Sequence, residues 1–243
     1  MIMTSLKGTL AAARLLTPVL LALSVGWTTS SLADGMVPET SVVIINEADG
    51  EGKIKVTNTD STTSLLHVTL HNIPEDTQPL LLVTPAVSRV DPGKTQLVRF
   101  ILRTEGGPLK VQRLKRVTFE GIAQRSTAEN GQARIGVGVR QNLPVIIHPK
   151  GLARNRTPWT GLQWSQANGK LTVRNDTAYV VRLAQKLTLL PMDATAQLPR
   201  TYVLPGEHLT VDVPSSAASA TAVRLYPATV YGFAVDAFDS PLH

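Results

Sequence analysis

Apolar and polar residues alternate along much of this chain, in short runs that end at turn residues. Residues 52–58 and 65–72 show this pattern, and the turn Asp91-Pro92-Gly93 separates two further runs, residues 86–90 and 96–102. Because successive side chains of a strand point to opposite faces, a period of two predicts half-buried β-strands. About seven such runs in the first half, with no amphipathic helix of two or more turns, predict a β-sandwich.

Two of these runs lie close together near the start of the predicted sandwich. Residues 40–46 are rich in Val and Ile, which favour strands, and residues 52–58 follow after a short gap. The gap contains Asp49 and Gly50, which are common turn residues. We therefore expect a hairpin between the two runs through residues 48–51.

The most unusual pattern lies in residues 133–149. Ile135, Val137 and Val139 are apolar, and only glycines separate them, so a strand here carries aliphatic side chains on one face and almost nothing on the other. The alternation resumes at Leu143, and Pro144 removes a backbone donor, which favours an edge or a bulge. We expect one long strand whose second half belongs to its own domain and whose first half is an exposed edge, able to pair with another protein. The alternative is an ordinary edge strand that packs on its own core.

The beginning of the chain has the composition of a secretory signal. Lys7 and Arg14 precede the apolar residues 15–25, and Ser31-Leu32-Ala33 places small residues where a signal peptidase cuts. Residues 1–33 are therefore expected to be cleaved, so that the mature protein begins at Asp34. The apolar run is too short to anchor the chain in a membrane, and we expect an exported protein without membrane insertion.

The second half repeats the strand pattern after a polar, basic segment, residues 150–158, which we interpret as a linker. Strands are expected at residues 162–164, 170–175, 179–184, 201–205, 208–213 and 223–233, and a mobile loop at residues 215–222. The predicted domains are residues 34–149 and residues 150–243. Each has the usual size of an immunoglobulin-like sandwich.

Composition excludes several classes of function. The chain has no cysteine, which excludes thiol chemistry and is compatible with a bacterial periplasm. Loss of Lys7 and Arg14 with the signal leaves 22 basic and 18 acidic residues, a net charge of +4 without the basic clusters of a nucleic-acid binder. The five histidines, among them His67 and His71, lack the partners of a catalytic or metal motif. We expect neither an enzyme nor a cofactor.

Four motifs in order along the chain carry a resemblance to a known family. They are VTPAVSRVDPG at residues 83–93, IHP at residues 147–149, NDTAY at residues 175–179 and YVLPG at residues 202–206. Together they resemble the periplasmic pilus-assembly chaperones of the chaperone/usher pathway, the PapD-like family. Residues 115–117 and 143–146 are similar to its archaic or alternative branch.

The resemblance implies a fold, partners and a mechanism. The fold is all-β, with two immunoglobulin-like β-sandwich domains in an L-shaped (boomerang) arrangement. Ile135, Val137 and Val139 fall on the positions that such chaperones lend to an incomplete pilin subunit, which is then delivered to an outer-membrane usher. The free edge also allows self-association. The alternative is an exported two-domain adhesin or structural subunit that binds a surface ligand.

The chain departs from the family at one point. Well-known members hold the subunit's terminal carboxylate with two basic residues, and the corresponding places here hold Ser41 and Pro144. Neither pairs with a carboxylate as Arg or Lys does. The basic candidates near the expected cleft are Arg116, Arg140, Arg99 and Arg89. The alternative for each, favoured for Arg89, is a solvated charge or a structural hydrogen bond.

Overall fold

The computed structural model describes residues 35–103, 106–123, 139–229 and 232–243. Within them the chain forms β-strands, joined by turns and three short 3-10 helices, Glu47–Asp49, Pro158–Gly161 and Ser215–Ala217. The all-β prediction is confirmed. The predicted signal segment, Ile135 and Val137 lie outside the described residues.

The first half is a sandwich of two sheets. Its described strands are β1 (Met36–Pro38), β2 (Val43–Asn46), β3 (Glu51–Asn58), β4 (Ser64–His71), β5 (Leu81–Thr84), β6 (Val87–Val90), β7 (Thr95–Leu102), β8 (Arg113–Ala123) and β9 (Arg140–His148). The sheet orders are β1-β3-β7-β5 and β2-β9-β8-β4-β6. The core lies between the sheets, where Phe100, Val117 and Phe119 are fully buried.

The hairpin predicted between residues 40–46 and 52–58 is wrong. Strand β2 pairs in parallel with β9, with Val43 opposite Val145, whereas β3 pairs with β7 in the other sheet. The chain crosses between the sheets through the 3-10 helix Glu47–Asp49 and Gly50, which has a φ of +67°. Both strands bury alternate side chains in the same core from opposite sides, so their alternation does not distinguish a hairpin from a crossing.

The second half is a separate set of sheets with its own core. Its described strands are β10 (Leu162–Ala167), β11 (Lys170–Asn175), β12 (Val181–Arg182), β13 (Lys186–Leu190), β14 (Ala194–Gln197), β15 (Tyr202–Val203), β16 (His208–Asp212), β17 (Ala222–Leu225) and β18 (Phe238–Pro241). The sheet orders are β10-β11-β16, β14-β13-β17-β18 and β12-β15. Trp164 is the largest fully buried side chain of this core.

Some strands of the second half differ from the prediction. Strands β13, β14 and β18 were not expected, and the strand expected at residues 223–233 ends at Leu225. Strand β13 buries Leu187, Thr188 and Leu189 in succession, so the period of two is lost. The segment expected to be a mobile loop, residues 215–222, contains the 3-10 helix Ser215–Ala217, and Ala217 is fully buried.

A small hydrophobic cluster joins the two halves. Its buried members are Val42, Ile73, Leu114, Ile146 and, from the second half, Val180. The Gln112 backbone N–H donates to the Ala178 carbonyl at 2.8 Å, and the Gln112 side-chain oxygen accepts from the Val180 N–H at 2.9 Å. The outer face of the five-stranded sheet therefore contacts the second half at the end where β8 begins.

Candidate functional site

The inward-facing side of β9 becomes less buried toward the beginning of the strand. Val145 and Ile147 are fully buried, but Leu143, Gln141 and Val139 are only partly buried. Val139 packs against Gly35, where an added methyl group would lie 3.6 Å from the Val139 Cβ. Val137 and Ile135, at alternate positions before Val139, lie outside the described residues. The inward face of β9 thus loses its cover from Leu143 back to Val139.

Strand β9 has a neighbouring strand on only one side along its first half. It pairs with β8 from Arg140 to Ile147, but β2 pairs with it only from Val145 to His148. In the described part of the chain, residues 140–144 therefore have no strand on the β2 side. A side-chain hydrogen bond of 3.3 Å from Gln141 to the Met36 carbonyl lies close to this edge. The backbone there is available for an added strand.

Arg116 lies on the outward face of the five-stranded sheet, directly opposite Pro144. Its guanidinium donates through Nε to the Asn142 Oδ1 and through Nη2 to the Asn142 carbonyl, both at 2.8 Å. Burial lowers the pKa of Arg116. No carboxylate among the described residues forms an ion pair with it, so its charge is held in place by neutral acceptors.

The other three candidate arginines are already paired. Arg89 contacts Asp91 at 3.1 Å, Arg140 contacts Glu120 at 2.9 Å, and Arg99 contacts Glu51. All three arginine side chains are largely exposed. Each one is thus an exposed strand charge with a partner of its own, and Arg116 is the candidate with the charge most available to a ligand.

A fifth arginine, which the sequence analysis did not single out, lies on the facing side of the cleft. Arg182 is on β12, paired with Tyr202 of β15. Its Nη1 is buried, and no hydrogen-bond acceptor reaches it in the part of the chain that the structure describes. Burial lowers the pKa of Arg182, and the positive charge of Arg116 lowers it further. A single arginine between Val181 and Leu183 has no sequence signal that distinguishes it from a surface charge.

Ser41 and Gly232 lie beside this arginine. A methyl group added at Gly232 would lie 2.5 Å from the Ser41 Oγ and 3.4 Å from the Arg182 Nη1. Gly232 has a φ of +87°, which favours glycine, and a side chain here would collide with Ser41. Ser41 and Arg182, one from each half, therefore lie next to each other beside Gly232.

An exposed apolar patch lies at the other end of the same outer face. It consists of Leu65, Val87 and Ile122, with 45%, 54% and 46% of their surfaces exposed. Leu65 is directly opposite Ile122, and Val87 is opposite His67. We call these three residues the aliphatic patch. Neighbouring exposed aliphatic side chains of this kind often mark an interaction surface.

The described residues contain no group of three or more His, Asp or Glu side chains that could hold a metal ion. His71 bonds to Thr118 at 2.9 Å, and His148 bonds to Gln112 and to the Leu152 carbonyl. These contacts give both histidines a structural role. No helix within the described ranges has the length and apolar content needed to cross a membrane.

Comparisons of the sequence with protein families and with known proteins agree on one family. The family models described as "Pili and flagellar-assembly chaperone, PapD N-terminal domain" and "Pili assembly chaperone PapD, C-terminal domain" match residues 35–153 and 155–238. The chain is 40% identical over 205 residues to "Uncharacterized fimbrial chaperone YhcA" of Escherichia coli strain K12, which covers 84% of this chain and 89% of that protein.

Two solved structures have a similar fold. The E. coli chaperone DraB aligns with a TM-score of 0.69 and 17% identity, over 86% of this chain and 99% of that chain. A chain of the Salmonella enterica SafA pilin in complex with the SafB chaperone aligns with a TM-score of 0.70 and 17% identity, over 88% and 99%.

Proposed function

This chain belongs to the PapD-like family of pilus-assembly chaperones, and we propose that it protects a pilus subunit by lending it part of one strand. The observation that carries this mechanism is the first half of β9, where the inward face loses its cover and one backbone edge has no partner strand among the described residues. A subunit that lacks its last strand exposes an apolar groove and unpaired backbone groups. A strand that includes Ile135, Val137 and Val139 supplies both missing components.

The energetics are compatible with a stable but replaceable complex. If the three aliphatic side chains were fully buried in the subunit at about 1.5–3 kcal/mol each, the gross gain would be roughly 5–9 kcal/mol. Added main-chain hydrogen bonds set the register. The entropy lost on association offsets much of this gain. A better-fitting strand from the next subunit can therefore displace the chaperone without nucleotide hydrolysis.

The aliphatic patch is the surface that we assign to the usher. Leu65, Val87 and Ile122 lie on the outer face of the sheet, away from the unpaired edge of β9, so both surfaces can be occupied at once. Binding through exposed aliphatic side chains removes them from water. The chaperone can then deliver the subunit to the usher in the outer membrane without first releasing it. Without a subunit, the same β9 edge is open to a second copy of the chain, so self-association competes with subunit binding.

The proposal includes the predicted processing and location. Residues 1–33 are removed during export, residues 34–149 form the strand-lending domain, and residues 150–243 form the second domain. The mature protein acts in the periplasm, as a binding protein and not as an enzyme, and it needs no cofactor.

The decisive experiment places a charge in the lent strand. Val137→Asp is expected to leave the chaperone folded and secreted but to abolish accumulation of the subunit, because a buried carboxylate opposes insertion into an apolar groove. Leu82→Asp, at an exposed site on the other sheet, is the matched control and is expected to change nothing. Normal subunit accumulation with Val137→Asp would contradict strand donation. It would leave the alternative of an exported adhesin or structural subunit.

A further inference from the structure

We propose that a cavity beside the linker binds a small organic anion, which Arg154 and Arg156 hold by its charged group. The cavity has a volume of about 480 Å³, which is within the usual range of small-molecule sites. It lies at the end of β9, whereas the unpaired edge of that strand lies at its beginning. The described residues that line it include Ile44, His148, Arg154, Asn155, Arg156 and Thr229.

The first argument is position, because three parts of the chain meet at this cavity. Ile44 on β2 and His148 at the end of β9 come from the first half, and Thr229 comes from the second half. Arg154 and Arg156 belong to the linker between the halves. A molecule in the cavity therefore contacts both halves and the linker at once. Because unfolding separates these parts, such a ligand stabilises the folded chain by mass action.

The second argument is charge. Arg154 and Arg156 form no ion pair or side-chain hydrogen bond within the described part of the chain, and no Asp or Glu is among the described residues that line the cavity. The Asn155 Oδ1 accepts from the Thr157 N–H at 2.9 Å, which leaves its side-chain nitrogen as a further donor. Guanidinium groups bind carboxylates and phosphates through paired, charge-assisted hydrogen bonds. The charge and the donors of this lining therefore favour an anion.

The third argument is the uncharged part of the lining. The His148 Nδ1 accepts from the Gln112 side chain at 3.0 Å, and its Nε2 donates to the Leu152 carbonyl at 2.9 Å. Both ring nitrogens are thus engaged, so the imidazole is a fixed wall and adds no free hydrogen-bonding group. Ile44 is partly buried and adds aliphatic surface. Arginine also stacks on aromatic rings, so the lining suits an anion with an aromatic body better than a bare inorganic ion.

The test is an NMR titration of the mature chaperone with naphthoate, with its neutral analogue naphthamide and with inorganic phosphate. Wild type is expected to bind naphthoate about tenfold more tightly than naphthamide, on the scale of one charge-assisted pair. Naphthoate should shift the backbone amide signals of His148 and Asn155. Arg154→Gln and Arg156→Gln are each expected to remove most of the preference for naphthoate while leaving the affinity for naphthamide unchanged.

The control variant is Lys94→Gln, which removes one exposed positive charge from the turn before β7 and is expected to keep the full preference. Equal binding of naphthoate and naphthamide by wild type would overturn the selection of an anion. Phosphate that binds as tightly as naphthoate would overturn the need for an organic body. A preference that survives in both Arg154→Gln and Arg156→Gln, or a failure of naphthoate to bind, would overturn the site itself. Strand lending uses the other end of β9 and would stand in each case.

Discussion

Arg116 on β8 lies directly opposite Pro144 on β9, and two hydrogen bonds to Asn142 hold its guanidinium beside that proline. Pro144 occupies the position where the resemblance implies a basic residue on the lent strand. The neighbouring strand therefore supplies a cation at almost the same place on the same outward face.

Removal of this cation should weaken the hold on the subunit. Arg116→Gln is expected to reduce the subunit that co-purifies with the chaperone by about tenfold, because one charge-assisted pair is lost. Arg99→Gln and Arg140→Gln are the matched controls, since both arginines are already paired with carboxylates of this chain. The measurement is the ratio of subunit to chaperone after affinity purification. An equal loss in all three variants would indicate a general charge effect and not an anchor.

The free chaperone should not need Arg182 for its stability. Arg182→Gln is expected to melt at the same temperature as wild type or at a higher one, because the substitution removes a buried charge whose Nη1 has no hydrogen-bond partner in the described ranges. Most substitutions instead cost about 1 kcal/mol. Arg200→Gln is the contrasting variant, since Arg200 pairs with Glu75 at 2.9 Å and with Glu207, and it should melt at a lower temperature. Thermal unfolding without subunit measures both. A clear loss of stability in Arg182→Gln would show that the charge has a structural role.

A buried ion network in the first half should make stability depend on pH. Burial acts to raise the pKa of Asp76, but hydrogen bonds from Arg113 and Lys115 outweigh it and hold the pKa below the usual value. The stabilisation is therefore fully present above the unfolded pKa of about 3.9 and is lost as the pH falls toward the folded pKa. Asp76→Asn is expected to cost roughly 3–5 kcal/mol at pH 7, because it leaves the buried Lys115 without a charged partner.

The same variant tests the direction of the pH dependence. Urea unfolding between about pH 6 and pH 3 should show wild type losing more stability than Asp76→Asn, since only wild type has this carboxylate to protonate. Equal pH dependence in the two proteins would mean that Asp76 has the same pKa when folded and unfolded.

The contact between the two halves should depend on Gln112. Its side-chain oxygen accepts from the buried Val180 N–H at 2.9 Å, and its side-chain nitrogen contacts the His148 Nδ1 at 3.0 Å. Gln112→Ala is expected to cost about 1–3 kcal/mol in the free energy of unfolding, because the Val180 donor is left unsatisfied. Faster hydrogen exchange at the Val180 amide would locate the effect. Unchanged exchange there would show that water replaces the lost acceptor.

The aliphatic patch should act after subunit binding. Ile122→Asp is expected to leave the chaperone–subunit complex intact but to stop pilus assembly, so that the complex accumulates in the periplasm. Leu97→Asp, another exposed aliphatic position on the other sheet, is the control and should assemble pili normally. The measurements are surface pili and periplasmic complex from the same cells. Normal assembly with Ile122→Asp would remove the patch from the usher contact.

Local patterns in the chain were sufficient for the fold class and much of the core. The alternation of Leu66 and Val68 with His67 correctly predicted which side chains are buried. Successive side chains of a strand point to opposite faces of the sheet, so this alternation can be inferred from the sequence alone. The motif at residues 175–179 forms a local turn, in which the Asn175 side chain accepts from the Thr177 N–H at 3.1 Å and donates to the Tyr179 carbonyl at 2.8 Å.

Features that depend on residues far apart in sequence were not accessible in this way. Strand β2 joins β9 and not β3 because its partner is selected by packing across the whole sandwich. Arg182 becomes significant only because folding buries it beside Ser41 and Arg116, which belong to the other half of the chain. Turns and the alternation of side chains between the two faces of a strand depend on neighbouring residues, so they can be inferred from the sequence. Burial, sheet partners and the meeting of charges across the cleft arise when distant segments exclude water together, and only the folded structure decides them.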